Sequence, residues 1–265
     1  MIAKYGVKWA CQQGGERLQK DLDRVQGWAN KNKMHFNTDK CRVLHLGRSN
    51  QQHTYKMGNS LVESTEAERD LEVIIDSKMN MGQQYEVTVG RANRTLSCIH
   101  RCISSRAKEV ILPLYATLVS PQLEYCVQFW APHFKRDVDN IERVQRRATH
   151  MIQGQQGRPY NERLWDLNLF SLHKRRLRGD LVTVYKLTRG DQKSLRETLF
   201  PLAPPRITRN NGHKLLESRF RLDIRKNYFT VRANRIWNQL PREVVLAPTL
   251  VVFKKRLDAY LAGVI

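Results

Sequence analysis

The sequence predicts an α+β fold that is mostly α. A helix and a small antiparallel sheet are expected within residues 1–80, and helices from there to the end. Three observations predict it. Apolar residues recur at helical spacing over Glu16 to Met34. The period then shortens to the two-residue alternation of strands between Cys41 and Ile75. From Tyr85 onward helical spacing returns and persists.

Each element has its own signal. Leu18, Leu22, Val25 and Ala29 share one face of the first helix, with Trp28 beside it. Cys41 to Leu46 alternates and stops at Gly47, which reads as a strand. Tyr55 to Val62 carries Gly58-Asn59 at its centre, a hairpin signal. Leu71 to Ile75 reads as another short strand. Tyr85, Val89, Ala92, Leu96, Ile99 and Ile103 then line a long helix. The next helix should run from near Ser105 toward Ser120, with a kink or break at Pro113, which has no N–H to donate. Leu123, Val127 and Trp130 continue an apolar face past Pro121. Asp137 is placed to cap a helix whose Val138, Ile141, Val144, Ala148 and Ile152 point inward. Gly154 to Pro159 is the best linker candidate. Helices are expected over Tyr160 to Leu167 and Leu172 to Leu187, a loop rich in Pro, Arg and Asn over Pro201 to Gly212, and a last helix over Phe253 to Leu261. There is no internal repeat and no low-complexity tract.

With 41% apolar residues the composition suits a globular chain. The charge stands apart: 46 Lys+Arg against 25 Asp+Glu gives +21. Such a surplus favours a polyanionic partner. It is uneven. Residues 1–90 hold 13 basic and 11 acidic groups, residues 91–190 hold 18 and 8, and residues 191–265 hold 15 and 6. Any polyanion contact should therefore lie mainly beyond residue 90. No apolar segment follows a basic start, and no run reaches the roughly 18 apolar residues of a membrane span. The five cysteines show no paired spacing, which favours free thiols in a reducing compartment.

Metal-dependent chemistry needs clustered ligands. Asp21 and Asp23, and Asp137 and Asp139, stand two apart on helices and so do not face each other. The first pair is expected on a solvated face and the second at a helix start. Cys98 and Cys102 share a helix face, but His100 points elsewhere and no second pair completes four ligands. We expect buried thiols there and no metal site. The basic clusters carry more. Arg143, Arg146 and Arg147 lie on the polar side of one helix, with His150 a turn on. Lys174, Arg175, Arg176 and Arg178 form the densest run, after His173. Arginines at i, i+3 and i+4 can meet successive phosphates of one strand. A solvated face is the alternative for both clusters, and a localisation signal for the second.

Several long strings carry a family resemblance. Leu18-Gln19-Lys20-Asp21-Leu22 through Trp28, then Met34-His35-Phe36-Asn37-Thr38-Asp39-Lys40-Cys41, resembles non-LTR retrotransposon reverse transcriptases, and among them CR1-like LINE elements. The likeness continues in Val43 to Gly47, Asp70 to Asp76, Pro113 to Tyr115, Leu118 to Trp130, Glu142 to Thr149, Phe170 to Asp180 and Trp237 to Pro241. It runs from around Glu16 to the C-terminus.

The resemblance implies an organisation. Residues 1–80 would be a remnant of the polymerase palm and 81–153 a helical thumb. Residues 154–209 would be a helical connection and loop, and 210–265 a basic C-terminal extension. The lineage would be that of an RNA-directed DNA polymerase, whose two Mg²⁺ are held by palm aspartates just before the Trp28 helix. The matching stretch, Met1 to Trp9, holds no carboxylate. We therefore expect a truncated fragment, inactive alone as a polymerase, with no cofactor of its own and Mg²⁺ only in the complete enzyme. The expected partners are RNA, DNA or an RNA–DNA hybrid, and the missing palm and fingers if they are encoded upstream. No membrane contact is expected, and the location would be cytoplasmic or nuclear.

Lys40 matches the lysine that assists pyrophosphate departure as a general acid. Its alternative is a surface lysine at a strand start. Leu71, Glu72 and Val73 match the primer grip, but Glu72 stands where the family has glycine, and a carboxylate there would repel a phosphate. Two further readings stay open: a non-enzymatic nucleic-acid-binding protein recruited from the element, and a relic without function.

Overall fold

The computed structural model describes residues 13–47, 50–190, 193–204, 212–217 and 219–264. The Met1 to Trp9 stretch and residues 205–211 of the expected Pro-rich loop lie outside them. The chain is α+β and mostly helical, and it divides into two compact units, one ending at Gln84 and one starting at Tyr85.

The first unit opens with helix α1, Gln13–Lys31. Its inward face is the predicted one: Ala29 is fully buried, and Leu18, Leu22 and Val25 are half-buried. A 3₁₀ turn, Thr38–Lys40, leads into β1, Arg42–Leu44, shorter than the alternation suggested. Strands β2, Tyr55–Met57, and β3, Ser60–Thr65, form the expected hairpin, with Met57 opposite Ser60. Gly58 takes φ +60° at the first turn position, a backbone conformation that strains any residue with a side chain.

This sheet is mixed, not wholly antiparallel. Its order is β1-β3-β2, and β1 runs parallel to β3, with Arg42 opposite Glu63. The other edge of the sheet is taken by α1. The Gln19 amide donates to the Lys56 carbonyl at 2.9 Å and accepts from the Lys56 N–H at 2.9 Å. A side-chain amide thus occupies the free edge of β2 as a neighbouring strand would, which leaves β1 the edge of β3.

Leu71 to Ile75 is not one strand. Strand β4, Ala67–Asp70, pairs antiparallel with β5, Val73–Asp76, and Leu71-Glu72 is the two-residue turn between them. Both turn residues have positive φ, 45° and 65°, as a type I′ turn requires. Leu71 is apolar yet 66% exposed, so its hydrophobicity pointed to a strand that begins two residues later. At the far end of β5 the buried Asp76 carboxylate accepts from three backbone amides. Lys78 and Met81 donate at 2.9 Å and Asn80 at 3.2 Å, which sets the bend before the next helix.

That helix, α2, Gly82–Cys102, buries Ala92, Leu96 and Ile99. Helix α3, Lys108–Leu114, contains Pro113 and passes into a π-helical turn, Tyr115–Val119. The proline supplies no N–H and its ring crowds the preceding turn, so the helix widens there rather than ending. The Thr117 hydroxyl donates to the Pro113 carbonyl at 2.8 Å. Helices α4, Ser120–Glu124, and α5, Val127–Trp130, are parted by Cys126 at φ +51°. Leu123, Val127 and Trp130 are buried as expected.

Helix α6 is Lys135–His150. Asp137 lies in its first turn, where its charge suits the helix dipole. It is not the cap: Phe134 holds that position, with no side-chain cap bond. Residues 151–159 turn the chain within the second unit into α7, Tyr160–Asp166, and then α8, Leu172–Arg189. The Ser171 hydroxyl caps α8 by accepting from Lys174 N–H at 3.2 Å.

The rest comprises α9, Lys193–Leu199, a 3₁₀ turn at Asp223–Asn227, α10, Phe229–Gln239, α11, Arg242–Val245, and α12, Leu250–Val264. Leu181, Val184, Tyr185, Trp237, Phe253 and Leu257 are at the heart of their shared core. Tyr185 stacks on Phe253 with centroids 4.3 Å apart. The polar ends of the aromatic rings are satisfied. Tyr185 O–H donates to the Ala247 carbonyl at 2.7 Å, and Trp237 Nε1–H to the His213 carbonyl at 2.9 Å.

Local geometry makes the β4–β5 turn and one half-buried histidine open to test. Glu72→Gly should relieve the strained turn, because glycine alone takes positive φ freely. It should raise the opening free energy of the β4–β5 hairpin by about 0.5–1 kcal/mol. Amide hydrogen exchange in β4 and β5 reads this, and unchanged protection would refute it. The histidine gives a pH effect. Burial, then the nearby charges of Arg189 and Arg196, hold His213 below its ordinary 6.5; burial does the same to His133 against Asp137. The unfolded chain takes up these protons first, so stability present above pH 6.5 is lost as pH falls below it. The melting temperature should drop between about pH 7.5 and about pH 5.5, and less in His213→Gln.

Candidate nucleic-acid interface

Helix α6 has two sharply different sides. Ile141, Val144 and Ala148 are buried, together with the polar Glu142, Gln145 and Thr149. Arg143, Arg146, Arg147 and His150 are exposed, on the side the sequence assigned to them. Among the described residues the partners of these arginines are uncharged. Arg143 donates to Asn140 Oδ1 at 3.2 Å, and Arg147 to Asn93 Oδ1 at 3.4 Å and Ser97 Oγ at 3.1 Å on α2. The Arg146 guanidinium lies 4.9 Å from the centre of the Tyr160 ring. Neutral partners orient a guanidinium without cancelling its charge. The row can therefore still attract phosphates.

What aims the row outward is the polar seam beneath it. Gln145, with no exposed surface, accepts from Tyr115 O–H at 2.8 Å. Its amide donates to Tyr160 Oη at 3.1 Å and to the Phe170 carbonyl at 2.8 Å. Glu142 Oε1 accepts from Tyr160 O–H and from Leu172 N–H, the latter at 3.1 Å. Burial raises both phenols well above their usual range, and the hydrogen bond to Glu142 adds to this for Tyr160. They stay protonated and able to donate. Arg163, itself buried, donates to the Arg146 carbonyl at 2.9 Å and ties α7 to α6.

The second cluster, on α8, is placed differently. Arg175 makes a two-bond pair with Glu124 of α4, at 2.8 and 3.1 Å. Arg178 makes another with Asp258 of α12, its Nη2 at 2.9 Å. Arg176 is buried; burial disfavours its charged form, while the carboxylates of Glu142, Asp180 and Glu124 favour it. Lys174 is buried with its ammonium 4.9 Å from the Phe170 ring centre. Arg175 and Arg178 thus join α8 to α4 and α12, while Lys174 and Arg176 are buried. To reach a phosphate, Arg175 or Arg178 would first have to release a carboxylate.

A third arginine pair went unnoticed in the sequence. Arg232 on α10 holds the buried Asp180 through two bonds, at 2.8 and 3.2 Å. It also donates to the carbonyls of Asn227 and Gln128, each at 2.8 Å. Burial raises the Asp180 carboxyl above its ordinary range, opposed by Arg232 and Arg176. Nothing in the local sequence marks this pair, whose members lie 52 residues apart.

The remaining candidates are in the first unit. Lys40 is exposed at the end of the 3₁₀ turn. Leu71 and Glu72 are exposed at the tip of the β4–β5 turn, and Val73 is buried behind them. Asp21 pairs with Arg24 at 3.3 Å and Asp23 accepts from Gln19 at 2.8 Å, both local contacts on α1. Among the described residues no three His, Cys, Asp or Glu side chains are grouped to hold a metal ion. Cys98 and Cys102 do share a face, but they are exposed where burial was expected. Leu96 and Ile99 take the inward positions of that turn.

Within the second unit, Arg143, Arg146 and Arg147 face outward from α6, whereas Arg175, Arg178 and Arg232 pair with carboxylates of other helices. No protein-family model, curated protein or solved structure matches this chain.

The different placements predict different failures. Arg232→Met leaves Asp180 buried without its partner and should cost about 3–5 kcal/mol, whereas Arg143→Met should cost less than about 1 kcal/mol. Urea denaturation of the two variants reads this difference. Equal costs would show that the Asp180 pair does not hold α8 to α10.

Proposed function

We propose that this chain is the C-terminal, nucleic-acid-binding part of a non-LTR retrotransposon reverse transcriptase. Residues 1–80 are read as a palm remnant, 81–153 as the thumb, 154–209 as a helical connection and loop, and 210–265 as the basic extension. Contact with RNA, DNA or their hybrid is assigned to the outer face of α6. One observation carries the reading: Arg143, Arg146 and Arg147 are exposed together on a buried, well-anchored helix, beside uncharged partners. The long strings resembling the family support it, as does the concentration of positive charge beyond residue 90. The α8 run is assigned to packing, because Arg175 and Arg178 are already paired with carboxylates and Lys174 and Arg176 are buried.

The site has the chemistry of backbone contact. Guanidinium groups at i, i+3 and i+4 meet phosphates, release their counterions and confer little sequence preference. Binding should therefore weaken steeply as salt rises. Reversing Arg143, Arg146 and Arg147 to Glu should lower the affinity for a duplex or hybrid oligonucleotide by roughly tenfold or more at low salt. It should also flatten the log–log salt dependence by roughly 0.9 for each phosphate that is no longer neutralised. Fluorescence anisotropy over a salt series measures both. As a control, Arg175→Gln should lower the melting temperature and leave that slope unchanged. Unaltered affinity in the triple variant would remove α6 from the interface.

A further inference from the structure

We propose that Cys98 and Cys102 form a two-thiolate site for a tetrahedral thiophilic cation of the zinc and cadmium class. The two residues stand one turn apart on α2, both exposed, with their sulfurs 3.8 Å apart. A zinc–sulfur bond of about 2.3 Å at the tetrahedral angle requires two sulfurs about 3.8 Å apart, whereas linear coordination at that bond length requires about 4.6 Å. The pair already has the tetrahedral spacing. Its helix is anchored before and within the site by the buried Leu96 and Ile99 and by Ser97, which receives Arg147 Nη2 at 3.1 Å, and past Cys102 by Arg106, whose Nη2 donates to the His100 carbonyl at 2.8 Å. Cys98 and Cys102 therefore stay outward together. The other described thiols offer no such pairing. Cys41 is half-buried, its Sγ 3.4 Å from the Asn37 carbonyl, and Cys126 is on a separate turn.

Binding exchanges the shared S–H···S contact for two metal–sulfur bonds. Two S–H bonds break, two protons leave to the buffer, and no atom changes oxidation state. The remaining two positions on the cation open to solvent and are filled by water. The site does not require the nucleic-acid reading, since both of its ligands lie on α2.

The test uses the full chain, kept reduced and free of metal, titrated with cadmium while thiolate-to-cadmium charge transfer is followed in the ultraviolet. One equivalent should saturate the band, with two protons released per cadmium, and zinc should displace it. Cys98→Ser and Cys102→Ser should each weaken uptake by roughly a hundredfold, the advantage expected of two tethered ligands. Cys126→Ser should bind as the parent does. The proposal is overturned by absence of the band in the parent chain, or by uptake that survives in the Cys98→Ser, Cys102→Ser double variant. Circular dichroism of each variant separates removal of a ligand from unfolding of the helix.

Discussion

Glu142 and Gln145 make the contacts that decide which way α6 faces. They lie on the inward side of the helix among Ile141, Val144 and Ala148, and they bind Tyr115, Tyr160, Phe170 and Leu172 by hydrogen bonds. Apolar burial alone would tolerate some rotation of a helix about its axis. A buried amide that must meet three partners at once does not, because each broken bond leaves a desolvated polar atom at a cost of about 1–3 kcal/mol. The direction of Arg143, Arg146 and Arg147 follows from that constraint.

The same low-dielectric interior accounts for the other arginines. A chain of net charge +21 must either hold its cations apart at the surface or pair some of them inside. Here α8 and α10 do the second. Arg175, Arg178 and Arg232 each find a carboxylate on another helix, with two-bond geometry suited to a planar guanidinium. Three cross-links between α4, α8, α10 and α12 result. They fix which helices adjoin more than they add stability, because desolvating each ion offsets much of the attraction.

The first unit shows a second way to satisfy a polar backbone. Its short strands offer little hydrophobic cover, and much of their surface is exposed. The Gln19 amide closes one strand edge and the Asp76 carboxylate gathers three amides at the end of another. Leu71 and Glu72 take the positive φ that the type I′ turn imposes, without the glycine that usually bears it. The geometry of the hairpin prevails over local preference because four paired residues on each strand enforce it.

Local pattern determined the inward face of α1, the β2–β3 hairpin, the inner face of α2 and the two sides of α6, since these depend on residues within a turn or two of one another. It also located the excess charge and the irregularity at Pro113, after which α3 passes into a π-helical turn. Tertiary structure alone decided the parallel pairing of β1, the burial of Arg176, and the pairing of Arg175, Arg178 and Arg232 with carboxylates of other helices. Glu124 and Asp258 lie 51 and 80 residues from their arginines, so no local pattern could show whether those cations face a phosphate or a carboxylate. Solvation makes the choice: an arginine is free to bind outside only where folding has brought no carboxylate within reach.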